Sequence, residues 1–325
     1  MSDTPYTQYL SVLAEEGFDS SVTEVPEGAQ FGWVDDQQAV QAIVATLPFK
    51  DFEETPAFGM AASELPDHCY LWDFAKQVTG DNLPPRNQGQ VGSCVSFGCC
   101  SAIEYTMCAE IANGELEEFK PLVQEVVYGG SRIEIGGGRL GRGDGSIGAW
   151  AADFVRKYGV LNRGVFLNGK YNLEKYSESL CRQWGASGVP NDLEPLVKEH
   201  PVFETAPVKT WESAKKAIFQ GYGISIASNQ GFSTKRDSNG VCKPSGSWAH
   251  QMALIGFTKI DNEDYGFILN SWGLYMGTSN IGPGNPSPAG FYAHWSVVDR
   301  MLKQNDSFCY SSVKGFPLRK LRWKF

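Results

Sequence analysis

A glycine-punctuated loop that leads directly into a helical pattern is the feature that most constrains this chain. The loop ends at Gly92-Ser93, and from Cys94 the apolar residues recur at helical spacing through Ile103 and Met107. Cys94 is therefore predicted to open a helix. The unpaired backbone amides and the positive end of the helix dipole at such a position favour an anion, and a thiolate is one. The sequence predicts a cysteine nucleophile at residue 94.

Two apolar runs far downstream are predicted to pair as an antiparallel hairpin. His250 begins the first run, Asn270 ends the second, and a polar turn at residues 261–264 lies about midway between them. A hairpin closed at that turn would bring the two side chains within a residue or two of each other across the strands. The spacing therefore predicts an imidazole held by an amide.

Three segments, taken together and in this order, resemble the active-site motifs of the papain-like cysteine peptidases. They are Asn87-Gln88-Gly89 with Gly92-Ser93-Cys94 and Phe97, the segment from Ser247 to Phe257 around His250, and the segment from Tyr265 to Gly273 around Asn270. The resemblance covers about residues 65–300 and is specific only as a set. It implies a peptidase whose thiol works with a histidine and an asparagine.

The resemblance implies a role for each reacting group. Cys94 is expected to attack the peptide carbonyl as a thiolate, and His250 to protonate the leaving amine. Asn270 would orient the imidazole, and Trp272 would cover that hydrogen bond from water. The side-chain amide of Gln88 and the backbone amide of Cys94 would receive the oxyanion.

Four residues are expected to bind substrate: Gly145, Ser146, Ala249 and Trp272. In the family, the segment equivalent to Gly145-Ser146 forms one wall of the cleft and pairs with the substrate backbone. The sequence departs from the family pattern here, since Val95 stands where an aromatic residue is usual and Ser146 where a glycine is usual. These departures remove no reacting group, but they bear on subsite specificity.

The fold implied by the resemblance is α+β, papain-like, with two lobes and the active-site cleft between them. The helical lobe is expected over about residues 64–175 and opens its main helix with Cys94. A β-barrel-like lobe is expected over about residues 176–310 and bears His250 and Asn270.

The peptidase domain is expected over residues 64–310, and a separate segment is predicted on each side of it. Residues 1–63 form an acidic N-terminal extension that is a candidate propeptide, and any cleavage is expected near residue 63. Residues 311–325 form a basic aromatic C-terminal tail. The extension either covers the cleft or is a packed, interaction-making segment.

Charge is unevenly distributed along the chain. The net charge is −9 and residues 1–63 carry −10, so the remainder carries +1. Nucleic-acid binding by the whole chain is not expected, because no domain-scale basic excess exists to displace counterions. Within the extension, residues 37–47 are predicted to form a short amphipathic helix, and residues 48–58 an extended aromatic run.

The C-terminal tail from Lys314 contains five basic residues and no acidic one. One interpretation is a solvated end. The other is docking, either onto the acidic first 63 residues or onto a partner, with Phe316, Trp323 and Phe325 as anchors.

Eight cysteines do not indicate a disulfide framework here, because a chain of 325 residues can bury a full core without one. By alignment, the two ends of the family's usual disulfide fall at Val91 and Gly143. Both cysteines are missing together, as expected of a fold kept in a reducing compartment. The sequence has neither a signal-peptide pattern nor an apolar run of membrane-spanning length. We expect a cytoplasmic or otherwise reducing location, with incorporation into a larger assembly or virion as a further option.

Three functions stay open from the sequence. The favoured one is hydrolysis of peptide bonds by a thiol nucleophile, with no metal or organic cofactor. The alternatives are a non-enzymatic structural or assembly protein that keeps the fold, and transamidating acyl transfer on the same three residues. The expected partner is a peptide or protein substrate, and neither nucleic acid nor membrane is expected.

Overall fold

The computed structural model describes residues 25–60, 65–115 and 118–323 of the chain. The predicted cleavage point near residue 63 and the tail anchor Phe325 lie outside the described residues, as do the first 24 residues of the acidic extension. The other sequence predictions fall on described parts of the chain.

Nine α-helices lie in the described ranges. They are α1 (Gln37–Val44), α2 (Leu71–Thr79), α3 (Cys94–Ala112), α4 (Gln124–Gly130), α5 (Gly148–Tyr158), α6 (Glu178–Ser187), α7 (Glu194–Val197), α8 (Trp211–Phe219) and α9 (Trp295–Leu302). None of these helices is both long enough and apolar enough to cross a membrane.

Nine strands accompany these helices in the described ranges. They are β1 (His68–Tyr70), β2 (Val165–Phe166), β3 (Tyr171–Asn172), β4 (Glu204–Pro207), β5 (Ile224–Phe232), β6 (Pro244–Ile260), β7 (Glu263–Leu269), β8 (Gly290–His294) and β9 (Phe308–Ser311). The main sheet is antiparallel in the order β4, β9, β5, β6, β7, β8, and β1 pairs with β6 beside this path.

Helix α3 is the central element of the helical part. It begins at Cys94, as the apolar pattern predicts, and ends at Ala112, and Gly114 follows with a left-handed φ of 79°. Almost all of its residues are buried, because it packs against α2, α4 and α5 on one side and against β5 and β6 on the other. The first turn of α3 is thereby held against the long strand β6.

The β6–β7 hairpin positions the second half of the site. Its turn is made by Asp261 and Asn262, which both take left-handed φ values of 50° and 69°, a conformation that Asp and Asn tolerate better than most residues. The turn therefore closes where the polar residues predict it. Register then runs back along both strands until Ala253 lies opposite Leu269, one residue before Asn270.

The predicted extended run at residues 48–58 is wrong. The structure has two 3₁₀ turns there, Phe52–Glu54 and Pro56–Gly59. The Asp51 carboxylate accepts a hydrogen bond from the Glu53 amide and so caps the first turn, while Pro56 begins the second with its fixed φ. The turns let Phe52 be fully buried, which an exposed extended run would not.

Between residues 166 and 203 the sequence predicts loops with one helix near residues 193–199, and α7 lies there as a single short turn. The structure adds α6, which the pattern does not predict. The hydroxyl of Ser177 accepts a hydrogen bond from the Leu180 amide at 3.3 Å and caps this helix.

The C-terminal tail places one aromatic side chain inside the protein. Phe316 is fully buried and lies edge-on to Phe49 and Phe52 of the N-terminal extension, with ring centroids 6.2 and 6.0 Å apart. It also lies edge-on to Tyr222 at 5.0 Å. The extension and the tail therefore share one aromatic cluster.

Farther along the tail, Arg319 is held by acidic residues at the end of α3. Its guanidinium lies 2.6 Å from a Glu110 oxygen and 2.8 Å from a Glu115 oxygen. Trp323 then stacks on Phe219, with centroids 6.0 Å apart. The cationic contacts of Arg319 thus go to the helical part of the protein and not to the acidic extension.

Replacing Phe316 with alanine is expected to lower the free energy of unfolding by about 3–5 kcal/mol, because it empties the centre of this aromatic cluster. The matched control is Leu318→Ala, since Leu318 is 53% exposed and its loss should change stability by no more than about 0.5 kcal/mol. Urea denaturation of the two variants measures both values. Equal effects would show that the buried ring does not hold the tail.

Candidate active site

Cys94 lies in the first turn of α3, where the loop through Ser93 enters the helix. Its side chain is fully buried, and its Sγ accepts a hydrogen bond from the backbone amide of Gln251 at 3.4 Å. Gln251 directly follows His250 on β6, so the sulfur lies against the histidine strand. The first-turn amides of a helix lack partners within the helix and carry the positive end of its dipole. This position can stabilise an anionic sulfur.

The ring of His250 is fixed from one side by Asn270, with 2.8 Å between Nε2 and Oδ1. The contact predicted from the hairpin spacing is therefore present. The other ring nitrogen, Nδ1, is buried and has no hydrogen-bond partner among the described residues. The ring of Trp272 lies 4.5 Å away, centroid to centroid, and covers the histidine–asparagine pair. The imidazole is thus oriented but has one nitrogen left for proton transfer.

The side-chain amide of Gln88 is also fixed in orientation. Its Oε1 accepts the hydroxyl of Ser271 at 2.7 Å, which leaves Nε2 as the donor end. Nε2 donates to the backbone oxygen of Val91 at 2.9 Å and to that of Gln30 at 3.1 Å. The resemblance assigns the side-chain amide of Gln88 to binding the oxyanion. In this structure the same amide binds the backbone carbonyl of Gln30, which belongs to a separate segment.

Residues 28–34 of the N-terminal extension cross this site. The amide of Val34 donates to the carbonyl of Ser146 at 2.9 Å, and the amide of Ser146 donates to the carbonyl of Gly32 at 2.8 Å, which makes a parallel bridge. Two predicted substrate-binding positions, Gly145 and Ser146, thus lie beside this segment. Of these two residues, only Ser146 forms hydrogen bonds with the backbone of residues 28–34.

Ala249, another residue predicted to bind substrate, also contacts the segment. Its carbonyl accepts hydrogen bonds from the amides of Gly32 and Trp33 at 3.2 and 3.1 Å. The side chain of Phe31 lies edge-on to the rings of His250 and Trp272, with centroids 6.1 and 5.8 Å apart. The segment therefore covers the histidine from the cleft side.

The closest approach occurs at two glycines. A Cβ added to Gly32 would collide with the backbone carbonyl of Gly92, and one added to Gly92 would lie 2.6 Å from the carbonyl oxygen of Phe31. Neither position has room for a larger residue, so the segment and the loop before Cys94 meet backbone to backbone.

These covering residues were not among those the sequence analysis selected. Phe31 and Trp33 belong to a stretch without helical or strand periodicity, and their partners lie far away in sequence. The available signal was Gly32 between two aromatic residues, since a glycine there allows close backbone approach.

Burial keeps the Cys94 thiol and the His250 imidazole uncharged while the segment is in place. Desolvation raises the pKa of the Cys94 thiol to about 12, although backbone amides, including that of Gln251, act in the opposite direction. Desolvation lowers the pKa of His250 to about 4, although the hydrogen bond that the ring donates to Asn270 acts in the opposite direction. Near neutral pH the covered site therefore holds a thiol and a neutral imidazole, not the charged pair.

Alkylation of Cys94 by iodoacetamide in the intact chain is expected to rise about tenfold per pH unit between about pH 7 and pH 9. Because the pKa of this thiol lies well above the range, most of it is protonated from pH 7 to pH 9. The small thiolate fraction grows about tenfold with each pH unit. Peptide mass spectrometry separates Cys94 from Cys99, a buried control whose pKa is also raised to about 12. A plateau in the Cys94 rate near neutral pH would contradict a covered, uncharged site.

All eight cysteines are buried, and none forms a disulfide. Within residues 25–60, 65–115 and 118–323, no three side chains of His, Cys, Asp or Glu cluster closely enough to hold a metal ion.

The class of protein follows from this architecture, in which a buried central helix opens with a cysteine beside a histidine-bearing antiparallel sheet. That is the arrangement of a cysteine protease. Residues 72–280, more than half of the chain, match a family model described as papain family cysteine protease. The chain belongs to this family, and its papain-like α+β fold, with a helical lobe and a sheet lobe, is confirmed.

Similar proteins agree with this assignment. A probable cysteine protease, RDL2 of Arabidopsis thaliana, is 29% identical over 208 residues, which are 62% of this chain and 51% of that protein. The chain therefore spans about half the length of this curated relative.

Among solved structures, xylellain, a cysteine protease from Xylella fastidiosa, has a TM-score of 0.56 at 14% identity, covering 90% of this chain and all of that one. Digestive procathepsin L 3 of the Tenebrio molitor larval midgut has a TM-score of 0.53 at 14% identity, covering 94% and 87%. These likenesses support the fold.

Proposed function

We propose that the chain hydrolyses peptide bonds, with Cys94 as nucleophile, His250 as acid and base, and Asn270 as the residue that orients the ring. The observation that carries the proposal is the imidazole. Its Nε2 is held by Asn270 at 2.8 Å. Its buried Nδ1 has no partner in the described part of the chain and lies beside the strand that contacts the Cys94 sulfur. A structural histidine in a core would have both nitrogens satisfied.

The reaction begins when the Cys94 thiolate attacks the substrate carbonyl carbon and forms a carbon–sulfur bond. Protonated His250 gives its proton to the leaving amine as the carbon–nitrogen bond breaks. Neutral His250 then takes a proton from water, the hydroxide attacks the thioester, and the sulfur leaves as thiolate. No group besides water is consumed.

Gln88 and the backbone amide of Cys94 are proposed to bind the oxyanion that forms during attack. Support comes from the Gln30 carbonyl, which accepts from Gln88 Nε2 in the covered structure and so occupies a carbonyl-binding position. Removing one such donor typically costs about 10²-fold or more in rate.

Residues 28–34 are proposed to inhibit the site by occupying the place of the substrate backbone. Support comes from their hydrogen bonds to Ser146 and Ala249, the residues proposed to bind substrate together with Gly145 and Trp272. One structural neighbour is itself a proenzyme by name. On this proposal residues 1–63 act as a propeptide, residues 64–310 as the peptidase domain and residues 311–325 as a tail docked on it.

The sequence also left an assembly role and a transamidase open, and no observation favours either. Expectations about the compartment and about incorporation into a larger assembly stay predictions.

An epoxysuccinyl probe for thiol proteases tests the proposal. Labelling at Cys94, located by peptide mass spectrometry and lost in His250→Ala, is the expected result, because the reaction needs an activated thiolate. Labelling is expected to be slow in the intact chain and fast once residues 28–34 are displaced. A Cys94 that stays unlabelled in a folded, uncovered protein would overturn the proposal.

A further inference from the structure

The side chain of Trp33 occupies a closed pocket beside the nucleophile. This side chain is 4% exposed. The backbone amide of Trp33 donates to the carbonyl of Ala249 and also lies within hydrogen-bonding reach of the Cys94 sulfur. The indole Nε1 donates to Oδ2 of Asp306 at 2.7 Å. A substrate peptide that made the same backbone hydrogen bonds, to Ser146 and Ala249, would place one of its own side chains in this pocket.

The floor of the pocket is a fully buried carboxylate. Besides the indole, Asp306 accepts the amides of Gly148 at 2.7 Å and Ala149 at 2.6 Å, at the start of α5. Oδ2 accepts from both Gly148 and Trp33, so departure of the segment leaves one hydrogen-bonding position on this oxygen open toward the cleft. In the covered chain, Asp35 also lies near enough to add to the negative potential there.

A second acceptor lies next to this carboxylate and has no donor. The Gln251 side chain is fully buried, with Nε2 fixed on the Val95 carbonyl at 3.0 Å, and its Oε1 lacks any partner among the described residues. A Cβ added to Gly148 would lie 2.7 Å from that Oε1 and 2.9 Å from the Asp306 carboxyl carbon. The two acceptors therefore flank the same glycine, and an indole can supply only one donor to them.

We propose that this pocket selects a substrate side chain that is cationic and rich in donors, arginine or lysine, at the position that Trp33 takes in the covered chain. The inference rests on the proposed peptidase function and names its substrate class. A guanidinium offers five donors and a full positive charge, so it can bind the carboxylate and reach Gln251. An apolar side chain would leave Gln251 Oε1 unpaired and the open position on Asp306 Oδ2 unfilled, and an acidic one would meet a like charge.

Because residue 33 occupies the pocket in the covered chain, substitutions of Trp33 test which side chain the pocket prefers. Trp33→Arg and Trp33→Leu are compared in the full chain at about pH 8, where hydrogen exchange of the amides in residues 28–36 reports how firmly the segment is held. We expect exchange in Trp33→Leu to be at least about tenfold faster than in Trp33→Arg. Exchange across α3 serves as the folding control and should be the same in both.

Adding Asp306→Asn, which keeps the shape of the side chain, should reduce the difference between the two variants to less than about threefold. Equal exchange of Trp33→Arg and Trp33→Leu with Asp306 intact, or a difference that survives Asp306→Asn, would overturn the proposal. This readout needs no reactive thiol, so failure of the peptidase proposal cannot be mistaken for failure of the pocket's selectivity.

A peptide assay then addresses the substrate directly. In a chain whose cover is displaced, peptides that differ at one position as Arg, Leu or Glu should be cleaved with kcat/KM at least about tenfold higher for Arg than for Leu. A preference for Leu would overturn the substrate assignment. Absence of all cleavage, with the exchange difference intact, would instead count against the peptidase proposal.

Discussion

Replacing Cys94 with alanine should lower kcat/KM for peptide hydrolysis by at least about 10⁴-fold, the largest effect we expect from any single substitution in this chain. On the proposed mechanism, the change removes the sulfur that forms the thioester, whereas the helix start, the histidine and the asparagine stay in place. The residual rate then depends on binding and on the oxyanion donors alone. A fluorogenic peptide library, applied to chains with the cover displaced, measures the loss.

The matched control for this substitution is Cys99→Ala. Cys99 lies on the same helix and is equally buried, and its thiol pKa is raised to a similar value, but it lies about 1.4 turns farther along the helix than Cys94. Its replacement should leave kcat/KM within about threefold. Retained hydrolysis in Cys94→Ala, or equal losses in the two variants, would mean that Cys94 is not the nucleophile.

The placement of Cys94, His250 and Asn270 could be predicted from the sequence because each position is set by a local pattern. Cys94 is marked by the change from a glycine-rich loop to helical periodicity. His250 and Asn270 are marked by lying on opposite sides of one polar turn, since a hairpin fixes the cross-strand partners of every residue once its turn is known. The structure has the histidine–asparagine contact at 2.8 Å.

The cover could not be predicted in the same way. Residues 28–34 form neither a helix nor a named strand, and several of their hydrogen bonds go to residues more than 100 positions away, such as Ser146 and Ala249. No local period records such pairings. The run at residues 48–58 was wrong for a related reason, because burial of Phe52 against the distant Tyr222 and Phe316 requires a turn that local composition does not reveal.

The pocket around Trp33 depends on the same kind of distant pairing. Asp306 follows α9, and Gln251 lies next to the histidine, so neither position by itself indicates a shared site. What connects them is Gly148, whose missing side chain leaves space for both. Predicting substrate preference from this sequence would therefore have required the fold first.

Replacing Gly32 with valine should increase the rate of Cys94 labelling, and of peptide hydrolysis, by about 10- to 100-fold. A side chain at residue 32 collides with the Gly92 carbonyl, and overpacking of this kind costs about 1–3 kcal/mol, which shifts the covered chain toward the open one by a similar factor. The substitution touches no group that takes part in the reaction, so the gain would come from uncovering the site.

Gly59→Ala is the control for this substitution, since an added Cβ at Gly59 meets no atom within 4 Å, and it should leave both rates unchanged. Thermal unfolding of both variants separates a local release of residues 28–34 from loss of the fold. Unchanged labelling in a folded Gly32→Val chain would mean that the segment does not limit access to the thiol. Uncovering the site should also raise the thiolate fraction of Cys94 near neutral pH. Water that returns to the cleft removes the desolvation that keeps Cys94 and His250 uncharged.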